Sequence, residues 1–165
     1  MDVALISDTH IPSRAAEIPA AFEERIEAAD HVIHAGDFDS EGALSNVRAM
    51  SSRLTAVAGN MDPRIGLPDR ATVELGGVTF VVTHGTGPHR GYEDRVAGIV
   101  REEADGADSD AVGVSGHTHE VLDTTHDGVR LLNPGSVTGA APAERTTMMT
   151  ATVRDGDLSV TLHER

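Results

Sequence analysis

The sequence predicts an α/β fold, a layered sandwich with helices packed outside central sheets. Three observations predict it. The first two-thirds of the chain alternates strand-like and helix-like patterns, the last third reads as antiparallel hairpins, and five apolar strands stop abruptly in polar residues. With 165 residues, 39% hydrophobic and 24% charged, the chain is expected to form one domain over 1–165.

Taken in order, Val3 to Ser7 reads as a short buried strand. Ala15 to Ala29 reads as an amphipathic helix, with Ile18, Phe22 and Ile26 in register, and His31 to Ala35 as a second strand. A helix from Ser40 to Met50 and a strand from Leu54 to Ala58 follow. Thr72 to Leu75 and Val78 to Thr83 flank Gly76-Gly77, a two-residue hairpin signal. Gly91 to Glu103 is helical in pattern and Ala111 to Ser115 is strand. Glu120 to Thr125 and Val129 to Leu132 turn at Asp127-Gly128, and Thr146 to Arg154 and Leu158 to His163 turn at Asp155-Gly156.

Composition narrows the function. There is no cysteine, which excludes disulfides, thiolate metal sites and a cysteine nucleophile, so any metal is held by nitrogen and oxygen. Arginine supplies all 13 basic residues against 27 acidic ones, for a net charge of −14. Absent lysine and excess acid resemble proteins that work in molar salt, where a Debye length of about 3 Å screens repulsion between surface carboxylates. A halophilic protein is therefore expected. The same balance, with only Tyr92, Phe22, Phe38 and Phe80 as aromatics, argues against a nucleic-acid surface. No apolar run reaches the ~18 residues of a membrane span, so neither a membrane protein nor a cleaved leader is expected, and the cytoplasm is the expected compartment.

The five abrupt strand ends are Ser7-Asp8-Thr9-His10, Ala35-Gly36-Asp37, Gly59-Asn60-Met61-Asp62, Thr83-His84-Gly85 and Gly116-His117-Thr118-His119. Ligands in open α/β sheets bind at the carboxyl ends of strands, so these loops are expected to share one rim. Imidazole, carboxylate and amide oxygen suit first-row divalent cations, and one carboxylate can bridge a metal pair about 3.5–4 Å apart. Alternate residues such as Asp8 and His10, or His117 and His119, serve one site or two neighbouring ones, depending on the turn.

The ordered motifs SDTH, GD, GN, TH and GHTH, followed by Asn133-Pro134-Gly135-Ser136, resemble the calcineurin-like metallophosphoesterase superfamily, and its small prokaryotic phosphodiesterase branch in particular. The resemblance runs from Asp8 to about Ser136. It implies a four-layer sandwich of two mixed β-sheets flanked by helices. It also implies one metal on Asp8, His10, Asp37 and His119 and a second on Asp37, Asn60, His84 and His117, with Asp37 as bridge. Asn60 would orient the substrate phosphate, and Asn60, His84 and Asp37 form the expected catalytic set. A metal-bridging hydroxide would attack a small phosphate ester, a phosphodiester or an activated monoester. Manganese is favoured by the resemblance, and Fe, Zn, Co and Ni also suit the donors. A homo-oligomer is common among relatives.

One position departs from the pattern. Many members have His after the Asn, where it protonates the leaving group, and this chain has Met61. General-acid help is worth ~10²–10⁴-fold, so good leaving groups are expected to be preferred. His89 is a candidate substitute donor, with a solvated loop histidine as the plainer reading. The alternative function is a catalytically weak or inert metal-binding scaffold of the same fold. His34 is expected beside the site without being a ligand. His31, His126 and His163 are expected on the surface; Arg90 and Arg95 suit contact with a substrate phosphate, with a solvated helix face as the favoured reading; and the run Glu102, Glu103, Asp105, Asp108 and Asp110 is expected to be solvated.

Overall fold

A computed structural model describes residues 1–104 and 110–165; Asp105 and Asp108 of the acidic run lie outside the described residues. The chain folds as two mixed five-stranded sheets packed face to face, with helices on both outer faces. The first sheet holds β1 (Asp2–Ile6), β2 (His31–His34), β3 (Leu54–Ala56), β9 (Thr147–Arg154) and β10 (Asp157–Glu164), in the order β10-β9-β1-β2-β3. The second holds β4 (Arg70–Leu75), β5 (Val78–Thr83), β6 (Val112–Val114), β7 (Val121–His126) and β8 (Val129–Pro134), in the order β4-β5-β6-β8-β7.

Pleat alternation sets the layers. In β1, Val3 and Leu5 enter the core between the sheets, while Ala4 and Ile6 face the cluster made with α1 (Ala20–Ala28) and α2 (Glu41–Met50). On the other side, α3 (Tyr92–Glu103) lays Val96, Ala97 and Val100 against Val81 and Leu131. Residues 3–6 of β1 and Val112–Val114 of β6 are buried on both faces, which is why these segments read as continuous apolar runs.

Strands β1, β2 and β3 run parallel in one sheet, and β5, β6 and β8 in the other. The hairpin glycines and aspartates behave as their dipeptides predict: Asp127 and Gly128 have φ of 48° and 79°, and Asp155 and Gly156 have 50° and 84°.

The first predicted helix is shorter than expected. It begins at Ala20, because Pro19, with ψ 137°, stands outside the helix and disfavours helical backbone at Ile18. Ile18 is still buried with Phe22 and Ile26. Ser40 caps α2, its Oγ accepting the Ala43 N–H at 3.1 Å. Among the described residues, no helix is long and apolar enough to cross a membrane.

Candidate metal centre

The carboxyl ends of β1, β2, β3, β5 and β6 meet where the two sheets adjoin, and the loops that follow them interlock. Asp8 N–H donates to Gly36 O at 3.0 Å, His10 N–H to Asp37 O at 3.1 Å, and Gly116 N–H to His84 O at 3.1 Å. Asp8, His10, Asp37, His84 and His119 are all buried there.

Each carboxylate has one oxygen anchored and one turned inward. Asp8 Oδ2 accepts the His117 N–H at 3.1 Å and lies 2.8 Å from Ser7 Oγ, while Oδ1 has no hydrogen-bond partner. Asp37 Oδ1 accepts the Met61 N–H at 2.8 Å, and its Oδ2 sits 3.4 Å from His10 Nε2 and 3.1 Å from His84 Nε2.

The histidines follow the same rule. His84 Nδ1 donates to Ala35 O at 2.7 Å, His119 Nδ1 to Ala140 O at 2.8 Å, and His10 Nδ1 to Asp39 Oδ1 at 2.8 Å. Carbonyl and carboxylate oxygens only accept, so in the neutral form of each ring Nδ1 carries the proton and Nε2 is a bare lone pair. His117 is reversed: Nε2 donates to Gly87 O at 2.8 Å, leaving Nδ1 bare and 3.1 Å from Asn60 Oδ1.

The consequence is a buried cluster of acceptors facing acceptors. His10 Nε2 and His119 Nε2 are 3.2 Å apart, His119 Nε2 is 3.3 Å from Asp8 Oδ1, and His84 Nε2 has no hydrogen-bond partner. Such a set is repulsive unless protons or a cation lie among its atoms. Donors about 2.1 Å from one cation sit roughly 3.0–3.4 Å from each other, the spacing of His10 and Asp8 to His119 and of His10 and His84 to Asp37. Asp8 Oδ1 stands farther off, 3.7 Å from His10 Nε2 and 4.0 Å from His84 Nε2. Asp8, His10 and His119 form one ligand group and Asp8, Asp37 and His84 a second, so Asp8 joins both, while Asp37 Oδ2 straddles His10 and His84. Asn60 and His117 stand at the more open side, and the exposed Met61 lies beside them.

Electrostatics agree with a site that favours positive charge. Burial works to raise the Asp8 pKa, yet hydrogen bonds with His10 and His119 outweigh it and hold the carboxyl below its ordinary range. Asp37 is likewise lowered against burial, by its contact with His84. Burial opposes protonation of His84 and His119, but Asp37 and Asp8 raise them. Burial lowers His117.

Several residues have roles that local pattern does not reveal. Asp62 reads as a turn former before Pro63, but its carboxylate accepts the N–H groups of Asp37 at 3.0 Å, Asp39 at 2.9 Å and Gly59 at 2.8 Å, so it grips the loop that carries Asp37. Asp39 orients His10 and also accepts from Ser13 Oγ. The one available signal was their spacing, two residues beyond Asp37 and Asn60. The loop of residues 133–136, by contrast, reads from sequence as a tight turn or as a backbone brace for His119. It braces two ligand loops through side chains, Asn133 Nδ2 donating to Gly116 O and to Thr118 Oγ1, each at 3.0 Å, and Ser136 Oγ to Asp8 O at 2.7 Å.

His34 lies beside the site as expected: it accepts the Gly36 N–H at 3.0 Å and lies 2.7 Å from Thr9 Oγ1. Its ring stacks on Phe38, and burial lowers its pKa to about 3. Two expectations are corrected. His31 is buried, because Thr55 on the neighbouring strand gives its Nε2 a partner at 2.8 Å. Arg95 does not lie on a solvated face: its Nη2 donates to Gly85 O at 2.9 Å and Pro88 O at 3.0 Å, because the loop before α3 offers unpaired carbonyls. His89 is exposed, its ring centroid 6.2 Å from that of His117.

Residues 1–156 match the calcineurin-like phosphoesterase superfamily domain. Over 140 residues the chain is 35% identical to a protein of Methanothermobacter thermautotrophicus described as a probable metallophosphoesterase, covering 84% of this chain and 78% of that protein. In fold it is similar to Vps29 of Chaetomium thermophilum, with TM-score 0.82 and 20% identity over 100% of this chain and 97% of that one. It is also similar to wild-type Vps29 of Entamoeba histolytica in complex with zinc, with TM-score 0.80 and 25% identity over 100% and 98% of the two chains.

Proposed function

The chain belongs to the calcineurin-like phosphoesterase superfamily, and from that premise we propose that it is a dinuclear-metal-dependent phosphodiesterase that also accepts activated monoesters. The observation that carries this reading is the ring of inward-facing acceptors: Asp8 Oδ1, Asp37 Oδ2, the bare nitrogens of His10, His84, His119 and His117, and Asn60 Oδ1. In this reading Asp8, His10, Asp37 and His119 hold one cation and Asp37, Asn60, His84 and His117 the other, with Asp37 shared. The donors are all nitrogen and oxygen, which suits Mn, Fe, Zn, Co or Ni, with manganese favoured.

Bound there, a pair of divalent cations supplies positive charge, Lewis acidity towards phosphoryl oxygens and an acidified water as nucleophile. The chain's own residues do the rest. Asp37 is held rigidly by Met61 N–H on one oxygen and by Asp62 through its own backbone, which fixes the shared ligand. Asn60, exposed at the mouth, reaches an incoming phosphate with its amide. Met61, 45% exposed beside it, has no proton to give, so the leaving group departs as an anion and esters of acidic alcohols react fastest. Met61 also favours a second reading, a metal-binding scaffold of the same fold without turnover.

Hydrolysis of bis(p-nitrophenyl) phosphate beside p-nitrophenyl phosphate, with and without Mn²⁺, tests both readings. It is run in about 2–3 M KCl, where surface repulsion is screened. Metal-dependent turnover of the diester, lost in Asp37→Ala, is the expected result. Stoichiometric cation binding without turnover decides for the scaffold.

A further inference from the structure

Three of the four cluster histidines rest on groups that the fold holds firmly: Ala35 O at the end of β2, Ala140 O, and Asp39, itself gripped by Asp62. His117 is the exception. Its partner, Gly87 O, belongs to the loop of residues 85–91, where Thr86, Pro88, His89, Arg90 and Gly91 are exposed. That loop therefore decides which nitrogen of His117 is bare, and something must hold it.

Arg95 does so. Its Nη2 binds two carbonyls of the loop, Gly85 O and Pro88 O, on either side of the one that His117 uses. Among the described residues, these bonds and that of His117 are the side-chain hydrogen bonds the carbonyls of residues 85–88 receive. The loop is shaped to the guanidinium: a Cβ on Gly87, whose φ is +135°, would come within 2.9 Å of Arg95 Cζ. One helical turn earlier, Tyr92 carries the guanidinium 5.6 Å from its ring centroid. The Tyr92 hydroxyl lies 2.6 Å from Gly116 O and 2.7 Å from Ser115 Oγ, on the segment that leads into His117.

We propose that the first turn of α3 is a clamp joining the two loops around His117, with Arg95 the positioning residue that makes Nδ1 its ligand atom. The proposal rests on the reading of His117 as a ligand. Through Tyr92 the helix holds the main chain of His117, and through Arg95 it holds the carbonyl that takes the Nε2 proton. A single nitrogen, Nη2, donates to both flanking carbonyls from a planar guanidinium held beside the Tyr92 ring; an ammonium on a flexible stem, with no such plane to orient it, holds the pair less firmly.

The test is nitrogen-15 histidine NMR on the metal-free protein together with calorimetric titration by Mn²⁺, on wild type, Arg95→Met and Arg95→Lys. Wild type is expected to show Nε2–H at His117 and Nδ1–H at His84. Arg95→Met is expected to lose the single tautomer at His117 and keep that of His84. Its first Mn²⁺ equivalent is retained and its second weakened by about 10–100-fold, the usual effect of losing a group that orients a ligand. Arg95→Lys is expected to fall between. Arg95→Met with the wild-type His117 tautomer and both equivalents unchanged overturns the proposal. If Arg95→Met also loses the His84 signature, and so its fold, Arg95→Lys decides by the same readouts, and wild-type behaviour in it overturns the clamp. A wild type that binds only one equivalent refutes the dinuclear reading instead, and the tautomer spectra still judge the clamp.

Discussion

The metal rim and the far hairpins use the same unusual backbone for opposite reasons. Asp127 and Asp155 take φ of 48° and 50° in two-residue Asp-Gly turns, where left-handed residues match the twist of the paired strands. At the rim, Asp8, His10, Asp37, Asp39, His117 and His119 have φ between 47° and 78°, and three of them are histidines. A left-handed non-glycine residue costs on the order of 1–2 kcal/mol, with Asp and Asn penalised least. In the hairpins the conformation is the turn's own optimum. At the rim, alternate residues of a D-x-H, a D-x-D and an H-x-H segment adopt it, and tertiary hydrogen bonds such as Asp8 N–H to Gly36 O oppose relaxation. Strain collects where chemistry is placed, and the hairpins stay relaxed.

That contrast predicts how each region responds to change. The largest effect is expected from cation loading. At a hundredfold excess over Kd each bound Mn²⁺ stabilises the fold by about 2.7 kcal/mol. Urea unfolding with and without chelator is expected to show this in wild type and in Asp155→Asn, but not in Asp37→Ala. An equal gain in Asp37→Ala would remove the rim from the account.

Next comes one substitution made in both regions. At Gly59 a Cβ would collide with Asp37 Oδ1 and lie 2.5 Å from Asp37 N, so Gly59→Ala is expected to cost about 1–3 kcal/mol by overpacking and to weaken cation binding. At Gly128, φ is +79° and nothing lies within 4 Å, so Gly128→Ala is expected to cost about 1 kcal/mol through backbone conformation alone, with binding intact.

Metal-free stability is also expected to depend on pH through the buried rim. His34 has a folded pKa of about 3 against an ordinary 6.5. As pH falls below 6.5 the unfolded chain takes a proton that the fold refuses, and stability drops by up to about 1.4 kcal/mol per pH unit. His84 and His119 are raised, so their contribution is full below 6.5 and is lost as pH rises through their folded values. Stability with chelator present should therefore peak near the ordinary histidine range, and His34→Gln should flatten the acid side. An unchanged acid limb in His34→Gln would assign that limb to other groups. The smallest effect belongs to the hairpins: Asp155→Asn should shift stability by less than about 0.5 kcal/mol, since Asn suits the same turn position.

Where sequence and structure agree, the signal is local. The Asp-Gly turns, the Ser40 cap and the alternation of Val3, Ala4, Leu5 and Ile6 need only neighbouring residues to be understood. The metal-ligand types were legible because five apolar strands break off into Asp, His and Asn, and a core strand has no other use for them. The early start assigned to the first helix failed at Pro19, whose own backbone chemistry overrides an apolar period that Ile18 still obeys. Asp62, Asp39, His31 and Arg95 were not legible, since each depends on a partner brought near by folding: Asp62 and Asp37 are 25 residues apart, His31 and Thr55 24.

The sequence by itself determined the layered architecture and which residue types stand at the rim, because strand period, turn dipeptides and polar strand ends are properties of short segments. Only the tertiary structure decided which atom of each residue faces the centre. The proton on each imidazole follows from the carbonyl or carboxylate at its other nitrogen, and Ala35, Ala140, Asp39 and Gly87 reach those nitrogens only once the two sheets have closed on each other.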